Sequence, residues 1–533
     1  MDRDTSTKPM VEEAAAPFAL HHREDGSLPD AAQLQAALQN LARPFAVNGD
    51  GRTRYVPSCN LQDLGDRAFL ADHQLRYAYV AGAMANGIGS ADIVEALGRA
   101  GMLGFFGSAG LSLNAIEAAI DRISRNLGAG PFGFNLIHTP NEPEIESAVV
   151  DLYLKRGVRL VEASAYLDLT PQVVRYRVAG IHADPAGNIV TPNRIVAKVS
   201  RVEVASKFLA PPPAALLRTL VTQGAITAQQ AELAGRVPMA QDLTAEADSA
   251  GHTDNRPALA LLPTMLALRD RLQEQYCYPQ PLRVGAAGGI STPASAAAAF
   301  AMGAAYIVTG SVNQACVESG SSDAVRQMLA EAEQADVTMA PAADMFEMGV
   351  KVQVLKRGTM FAMRAAKLYE VFRTRDSLDA IPDAERATLE KTIFRMSIAE
   401  VWEITRQFWA KRDPGQLDRA AREPKFKMAL VFRWYLGLAS RWANSGDPTR
   451  KIDYQVWCGP AMGAFNEWTR GSFLERPERR QVVTVALNIL YGAAVQLRAA
   501  TLRYQGFAIP PAALHLPVLD LPALQERLQG AIA

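Results

Sequence analysis

The sequence predicts an α/β protein, in which a closed (β/α)8 barrel is followed by a mostly α-helical region. The first observation is a series of short apolar runs that end in small or polar residues. The second is that Ala-rich amphipathic segments lie between most of these runs. Strands that alternate with helices indicate a parallel sheet, and eight such units in about 240 residues match a barrel better than an open, doubly wound sheet. The predicted strands cover residues 77–83, 102–106, 132–136, 159–163, 195–199, 242–247, 282–286 and 306–309.

Helical periodicity accounts for most connections between these strands and for the chain beyond them. A run of three prolines at 211–213, followed by helical patterns, predicts a long insertion between two barrel strands. After residue 321 the alternation stops, and all six tryptophans lie between residues 402 and 468. The predicted helices cover residues 91–99, 115–127, 143–156, 257–273 and 293–302 in the barrel, and 323–334, 362–372, 398–408, 426–442 and 481–504 beyond it.

These patterns divide the chain into three parts. Residues 1–55 form a weakly patterned N-terminal extension with one helix near residues 30–41. The barrel is expected at 56–320, with its helical insertion at about 206–240. A mostly helical C-terminal region is expected at 321–533.

Charge and cysteine content exclude several classes of protein. Lys plus Arg and Asp plus Glu both number 55, so the formal net charge is zero. This balance argues against a nucleic-acid-binding protein with a strong positive field and against a polybasic membrane-surface protein. The N-terminus shows no apolar signal segment, so we expect a cytoplasmic protein. We expect neither a disulfide framework nor a metal site, because no C-x-x-C pair occurs among Cys59, Cys277, Cys316 and Cys458.

The stretch from residue 284 to 317 contains no charged residue and is long enough to cross a membrane. It is interrupted, however, by several glycines and by Ser, Thr, Asn and Pro. We therefore interpret it as two buried strands with a helix between them, and we expect no membrane span.

Glycines follow the last two predicted strands, in the motifs GAAGGI (Gly288, Gly289) and VTGS (Gly310, Ser311). Glycine allows close approach of an anion to the backbone, and the N–H groups of a following helix can complete a cradle. Phosphate sites after the seventh and eighth strands recur in this type of barrel. Tight turns alone would explain one such motif, but two in succession favour a phosphate site.

Other strand ends carry candidate polar and small residues. Asn135 lies near the end of the third strand, and Lys198 lies within the fifth. A lysine in a buried strand needs an anionic partner, so Lys198 either forms a structural ion pair or stabilises negative charge on a reduced ring or an enolate. After the first strand, small residues around Ala83 and Met84 would let a flat ring lie against the backbone, although a Gly-rich turn explains them equally well.

His252 follows the sixth predicted strand, in the polar loop ADSAGHTDNR. Active sites of such barrels lie at the carboxyl ends of the strands. A histidine there can donate or relay a proton near neutral pH. The alternative is a surface-loop histidine without a catalytic role.

Together these motifs resemble the flavin-dependent barrel family of nitronate monooxygenases and flavin-type enoyl-acyl-carrier-protein reductases. The matching segments are AGAMANGIGS, FGFNL, AKVS, ADSAGH, GAAGGI and VTGS. The longer run ADSAGHTDNRP and the segment at 346–372 are similar to the PfaD family. Those proteins are trans-acting enoyl reductases of polyunsaturated fatty acid synthases and of trans-acyltransferase polyketide synthases. The resemblance covers residues 56–506.

The resemblance implies a TIM barrel that binds FMN and transfers hydride from NADPH to the β-carbon of an α,β-unsaturated acyl thioester. His252 corresponds to the family's active-site histidine, and Lys198 is a second catalytic candidate. Relatives commonly have Gly-Gly-His where this chain has Ala250, Gly251 and His252, so Ala250 would be strained if its position requires positive φ. The implied FMN contacts are Ala83, Met84, Asn135, Lys198, Asp248, Ser249, Gly251, Gly288, Gly289, Gly310 and Ser311.

The resemblance also implies an acyl carrier protein that bears a phosphopantetheine-linked enoyl substrate, and polyketide or fatty acid synthase modules, as partners. An oligomer is compatible with it. Carrier proteins are typically acidic, so a local basic patch is expected, unless Asp413, Asp418 and Glu423 make the same helices an ordinary solvated face. The candidate basic residues are Lys411, Arg412, Arg422, Lys425, Lys427, Arg433 and Arg441.

Two other functions fit parts of the sequence. A flavin oxidase of small molecules such as nitronates would use the same fold, but a free small substrate needs no large helical region. A non-catalytic synthase scaffold would explain the helical region, but it would not need intact phosphate and ring motifs.

Overall fold

Eight parallel strands close into a barrel in the computed structural model of the chain. The predicted (β/α)8 architecture is therefore confirmed, and each of the eight predicted strands is a barrel strand. The structure describes residues 18–21, 30–49, 51–140, 142–251 and 253–529, so His252 lies outside the described residues.

A small sheet precedes the barrel. Strand β1 (Phe18–His21) runs parallel to β2 (Phe45–Gly49), and β2 pairs antiparallel with β3 (Arg52–Val56). The sequence analysis predicted the helix in this part, α1 (Ala31–Gln39), but none of these strands. The sequence does contain a signal for a tight hairpin, the dipeptide Asp50-Gly51 between the paired residues Gly49 and Arg52. Helix α2 (Arg67–Asp72) follows, and the Asp66 side chain caps it by accepting a hydrogen bond from the backbone N–H of Phe69 at 2.8 Å.

The barrel strands follow one another in chain order around the barrel, with a two-stranded hairpin of β8 and β9 inserted outside it. The barrel strands and this hairpin are β4 (Tyr79–Ala81), β5 (Leu103–Phe106), β6 (Gly133–Ile137), β7 (Leu160–Ser164), β8 (His182–Ala183), β9 (Ile189–Val190), β10 (Arg194–Val199), β11 (Asp242–Glu246), β12 (Arg283–Ala287) and β13 (Ile307–Thr309). The charge-free stretch forms β12, a helix, β13 and a short final helix, so its interpretation as buried strands and helix is confirmed.

The helices of the barrel lie between these strands, and three of them lie between β10 and β11, where the sequence predicts an insertion. They are α3 (Ala91–Arg99), α4 (Leu113–Leu127), α5 (Pro143–Arg156), α6 (Pro171–Val178), α7 (Val202–Leu209), α8 (Ala214–Thr222), α9 (Ala228–Ala234), α10 (Ala258–Tyr276), α11 (Pro293–Ala301) and α12 (Ser311–Gln314).

Side chains close the amino-terminal end of the barrel. Phe69 of α2 is fully buried, and its ring stacks on that of Tyr306 with the centroids 4.2 Å apart. Beside them, the Asp242 carboxylate accepts a hydrogen bond from Arg283 at 2.6 Å and lies 2.8 Å from His73 Nε2. The amino-terminal end of the barrel is thus filled by packed side chains, and the candidate residues lie at the opposite, carboxyl end of the strands.

Beyond the barrel the chain is mostly helical, as predicted, but it contains one hairpin that the sequence analysis did not predict. Strands β14 and β15 of that hairpin are antiparallel. The elements are α13 (Asp323–Ala330), β14 (Val337–Pro341), β15 (Lys351–Leu355), α14 (Phe361–Thr374), α15 (Asp383–Leu389), α16 (Ile398–Arg412), α17 (Gly415–Arg422), α18 (Pro424–Ser445), α19 (Ala461–Thr469), α20 (Val482–Tyr504) and α21 (Leu521–Gln529).

Helix α20, near the C-terminus, contacts the N-terminal part of the described chain. Its Arg498 donates hydrogen bonds to the carbonyl oxygens of Asn40 and, at 2.8 Å, Arg43 in the N-terminal part. Within the described residues, α20 is the one helix long and apolar enough to cross a membrane, and most of it is buried inside the protein. Helices at the core of globular proteins have the same length and composition, so this feature is weak evidence for a membrane span.

Candidate functional site

A cavity lies at the carboxyl end of the barrel, and we call it the central cavity. Every predicted FMN contact lines it, and all of these residues are among those that the structure describes. These residues come from the ends of six different barrel strands and from the loops that follow them. They are Ala83, Met84, Asn135, Lys198, Asp248, Ser249, Gly251, Gly288, Gly289, Gly310 and Ser311.

The glycines of the predicted phosphate cradle differ in what a side chain would meet there. Gly288 has φ of +84°, and a Cβ there would lie 2.6 Å from the carbonyl carbon of Ala247. A Cβ on Gly289 or Gly310, in contrast, would meet no protein atom within 4 Å. These two glycines therefore face open space in the cavity wall, which is the arrangement that a bound anion requires.

A buried polar network holds the second half of this cradle. The Thr309 hydroxyl donates to Tyr79 Oη at 2.7 Å, and Tyr79 donates to Asn313 Oδ1 at 2.9 Å. Asn313 in turn donates to the Thr309 carbonyl oxygen at 3.1 Å. Because Thr309 ends β13 and Asn313 lies in α12, the network fixes Gly310 and Ser311 between them. Burial raises the pKa of Tyr79, so this phenol stays protonated.

Lys198 lies between two carboxylates, and we call Glu162, Lys198 and Glu246 the ion triad. The Lys198 Nζ is 3.3 Å from Glu246 Oε1 and 3.7 Å from Glu162 Oε2. Of the two roles that the sequence left open for Lys198, the structure therefore shows the ion pair. The ammonium has three N–H donors, and its two carboxylate partners leave one for the cavity that Lys198 lines.

Two members of the ion triad, Glu162 and Lys198, have shifted pKa values. Burial raises the pKa of Glu162, Lys198 opposes that rise, and the nearby charge of Glu246 adds to it. For Lys198, burial lowers the pKa, but the two carboxylates outweigh burial and raise it overall. Lys198 therefore stays charged at neutral pH, while Glu162 resists ionisation.

Backbone and amide groups connect the ion triad to the ends of β4 and β6. Glu162 Oε2 accepts a hydrogen bond from the backbone N–H of Ala83 at 3.0 Å. Asn135 Nδ2 donates to the carbonyl oxygen of Glu162 at 3.1 Å and to Ser164 Oγ at 3.0 Å. The other oxygen of Glu162, Oε1, is buried and has no hydrogen-bond partner. A buried acceptor without a partner is costly, which agrees with the raised pKa of this carboxyl.

The loop after β11 is held against the ion triad. Ser249 Oγ donates to Glu246 Oε1 at 3.1 Å, and a Cβ on Gly251 would lie 2.8 Å from the same oxygen. Ala250 is not among the residues with positive φ, so the strain considered for this position does not arise. The loop therefore accepts Ala250 without cost, and Gly251 is the position where a side chain would collide.

The C-terminal region completes the cavity with residues that the sequence analysis did not identify. Val352, Trp457, Gly459 and Ala461 line it alongside the barrel loops. Gln353 Nε2 donates to Asp248 Oδ1 at 2.6 Å, and the Gly459 N–H donates to Ser311 Oγ at 3.3 Å. No motif marks these residues, although the clustering of tryptophans in this region was a weak signal.

The donor set at the central cavity fits FMN. A cradle of glycine backbone at β12 and β13 suits its phosphate. Small residues at the end of β4, with Asn135 and Lys198 opposite, leave a site for a flat ring that needs hydrogen-bond donors. Glu246, which lines the cavity beside Lys198, adds a carboxylate that can accept a hydrogen bond there.

Three residues of the predicted basic patch pair with carboxylates. Arg412 bonds Glu142 at 2.6 Å, Arg433 lies 3.2 Å from Glu347, and Lys425 lies 3.5 Å from Asp376. These contacts leave less excess positive charge on the helices than the sequence pattern suggests. Lys427 makes an aromatic contact instead, because its ammonium lies 4.7 Å from the centre of the Trp402 ring.

Two sequence models match the chain. That of the nitronate monooxygenase family covers residues 67–391. That of the inserted helical domain of acyl-carrier-protein S-malonyltransferase covers residues 375–454, which contain α15 to α18.

Several characterised proteins are similar to the chain. One polyunsaturated fatty acid synthase polypeptide of Thraustochytrium sp. is 51% identical over 460 residues, which are 85% of this chain and 31% of that protein. Polyketide biosynthesis protein PksE of Bacillus subtilis is 45% identical over 82% of this chain and 57% of its own length. The chain thus spans from less than a third to somewhat more than half of the length of these relatives.

A solved structure is similar over its whole length. It is the enoyl reductase domain of MlnA, from the macrolactin biosynthesis cluster of Bacillus amyloliquefaciens. It is 40% identical to this chain, with a TM-score of 0.79. The match covers 84% of this chain and all of that structure. These matches confirm the resemblance that the motifs indicated. The chain belongs to the nitronate monooxygenase family, in the group that contains the polyketide and polyunsaturated fatty acid synthase proteins and the enoyl reductase domain of MlnA.

Proposed function

We propose that the protein is a trans-acting enoyl reductase that uses FMN and NADPH to saturate an α,β-unsaturated acyl thioester. The overall reaction adds a hydride to the β-carbon and a proton to the α-carbon, and it converts NADPH to NADP+. The observation that carries the proposal is the convergence of the motif residues on one cavity at the carboxyl end of the barrel. A close relative that is itself an enoyl reductase domain supports the choice of reaction.

We propose that Gly288, Gly289, Gly310 and Ser311 hold the FMN phosphate through backbone N–H groups. Ala83, Met84, Asn135 and Lys198 would surround its ring, while Asp248, Ser249 and Gly251 close the third side. The chemistry that bound FMN supplies is two-electron transfer between NADPH and the β-carbon. The protein contributes placement, exclusion of water and fixed charges.

Lys198 and His252 are the catalytic candidates. The ion triad holds Lys198 in place, so its remaining N–H can donate to an oxygen that gains negative charge during the reaction. His252 would deliver the proton to the α-carbon. Its chain neighbour Gly251 lines the central cavity, which supports this role for the histidine.

The proposed partners are an acyl carrier protein with a phosphopantetheine-linked substrate and the modules of a polyketide or fatty acid synthase. The similarity of the helical segment to part of an acyl-carrier-protein transferase supports a carrier partner. We also propose a cytoplasmic location, which is consistent with four cysteines that are all free thiols.

The test is a product analysis with the purified full chain. Protein loaded with FMN is incubated with NADPH and a crotonyl thioester, and in parallel with oxygen and a nitronate. The proposal predicts butyryl thioester and NADP+ in equal amounts, and little nitronate turnover. Turnover of the nitronate alone would identify a small-molecule oxidase. Failure to bind FMN at all would remove both enzymatic functions and favour a scaffold.

A further inference from the structure

A second cavity adjoins the central one, and we call it the side cavity. Ala165 and Lys198 belong to the walls of both. The side cavity lies over the ends of β7, β10 and β11, whereas the glycine cradle lies at β12 and β13. A ligand that reaches from the central cavity away from the cradle therefore enters the side cavity.

The hairpin beyond the barrel supplies flexible apolar side chains to this cavity. Met339, Met345 and Met348 line it, together with Val350, all from β14 or the loop between β14 and β15. Methionine is unbranched and polarizable, and it adapts to ligands of varied shape. Leu167 on the barrel side is also part of the wall.

Several of these apolar side chains are exposed around the opening. Met348 is 54% exposed, Leu167 41% and Met339 37%. Exposed apolar side chains that cluster at one opening indicate a binding surface, whereas exposed apolar side chains scattered singly do not. The volume of the side cavity is about 370 Å³, the space of roughly twelve water molecules, so a chain of several methylene groups fits.

The charged groups of the wall are largely neutralised. Arg201 Nε and an Arg201 terminal nitrogen each donate to Asp254 at 2.8 Å, and Ser200 donates to the same carboxylate at 3.0 Å. Lys198 belongs to the ion triad, and Lys351, the other cation in this wall, is exposed at the start of β15. An apolar occupant therefore fits this wall better than a phosphate-bearing one.

We propose that the side cavity binds the apolar acyl tail of the thioester substrate, beyond its reactive double bond. This assignment rests on the proposed enoyl reductase function. The β14–β15 hairpin, whose methionines line the side cavity, is then the element that sets the preference for acyl chain length. Each buried CH2 contributes about fourfold in affinity, so selectivity for longer chains should be steep.

The test compares trans-2-butenoyl and trans-2-octenoyl thioesters of N-acetylcysteamine with the FMN-loaded full chain. Met348→Trp should narrow the cavity at an exposed position, where the fold tolerates a large side chain. We expect kcat/KM for octenoyl thioester to fall tenfold or more, and to fall far less for butenoyl thioester. Met363→Trp is the matched control, since Met363 is 67% exposed on α14 and lines neither cavity; both substrates should be unaffected.

A binding measurement gives an independent readout. Saturated butanoyl, hexanoyl and octanoyl thioesters should bind the wild-type protein with affinity that rises with chain length, and Met348→Trp should flatten that rise. Equal losses for both enoyl thioesters, or no loss for either, would overturn the assignment; equal losses would indicate that the cavity holds the carrier arm. A wild-type protein that reduces neither thioester would instead overturn the proposed function, and the assignment with it.

Discussion

Replacing Lys198 by Met tests whether the ion triad stabilises the carboxyl end of the barrel. The lysine Nζ lies 3.3 Å and 3.7 Å from its two carboxylate partners. Between full charges at an effective dielectric constant of about 20, these distances correspond to attractions of about 5 and 4.5 kcal/mol, and the second is an upper bound because Glu162 resists ionisation. Desolvation of the buried groups offsets part of this gain. Methionine keeps the length of the side chain but leaves Glu162 and Glu246 without a cation, and breaking a buried pair in this way costs about 3–5 kcal/mol.

Thermal unfolding of the FMN-free protein at about pH 8 measures this loss without interference from the cofactor. Since 1 kcal/mol shifts Tm by about 2 °C for a large domain, we expect Tm to fall by about 5–10 °C. The loss should shrink towards acidic pH, because carboxylates that have lost their cation take up protons. Glu246→Gln added to Lys198→Met should restore part of the loss, since it removes one of the two unpaired charges.

The matched control is Lys207→Met. Lys207 also pairs with a carboxylate, Asp168 at 2.7 Å, but both side chains are exposed to solvent. An exposed pair contributes less than about 1 kcal/mol, so Tm should change little. If the Tm of Lys198→Met lies within about 2 °C of the wild-type Tm, the ion triad is not a stabilising unit. The same conclusion follows if the double variant has no higher Tm than Lys198→Met alone.

Three further predictions address the cradle, the buried carboxyl and the histidine. Gly310→Ala should leave the Tm of FMN-free protein unchanged but weaken FMN binding about tenfold or more, because the new methyl group fills the cradle. Fluorescence titration measures the binding. The control is Gly437→Ala, which has similar free space and should leave FMN binding unchanged. The raised pKa of Glu162 means that the wild type loses stability as pH rises above the usual carboxyl pKa of 4.5, so Glu162→Gln should gain Tm relative to wild type over that range; a constant difference would contradict it. His252→Ala should retain FMN but slow reoxidation by the enoyl thioester in stopped-flow absorbance, and an unchanged rate would exclude this proton donor.

Much of the barrel could be predicted because its signals are local. Each strand is a short apolar run, and each motif at its end is contiguous in sequence, as in GAAGGI and VTGS. The order of eight units then places those ends on one face, since parallel strands in a barrel share their direction. This is why Asn135, Lys198 and Gly310, which lie far apart in the chain, could be assigned to one site from the sequence alone.

The residues that were missed depend on contacts between distant segments. Glu162 and Glu246 lie within apolar strands and carry no motif, so nothing local shows that they flank Lys198. Trp457 and Gly459 reach the cavity only because the chain returns to the barrel after α18. The β14–β15 hairpin was missed because its two short strands lie within a region dominated by helical periodicity.

The central claim is that the protein passes a hydride from NADPH to an enoyl thioester through a flavin bound in the central cavity. The most direct measurement is an anaerobic half-reaction. FMN-loaded protein is reduced with one equivalent of NADPH, freed of NADP+ by rapid gel filtration, and mixed with crotonyl thioester. The account predicts that the oxidised flavin absorbance returns and that one equivalent of butyryl thioester forms per FMN. A flavin that stays reduced until oxygen is admitted, with the crotonyl thioester recovered intact, would contradict it.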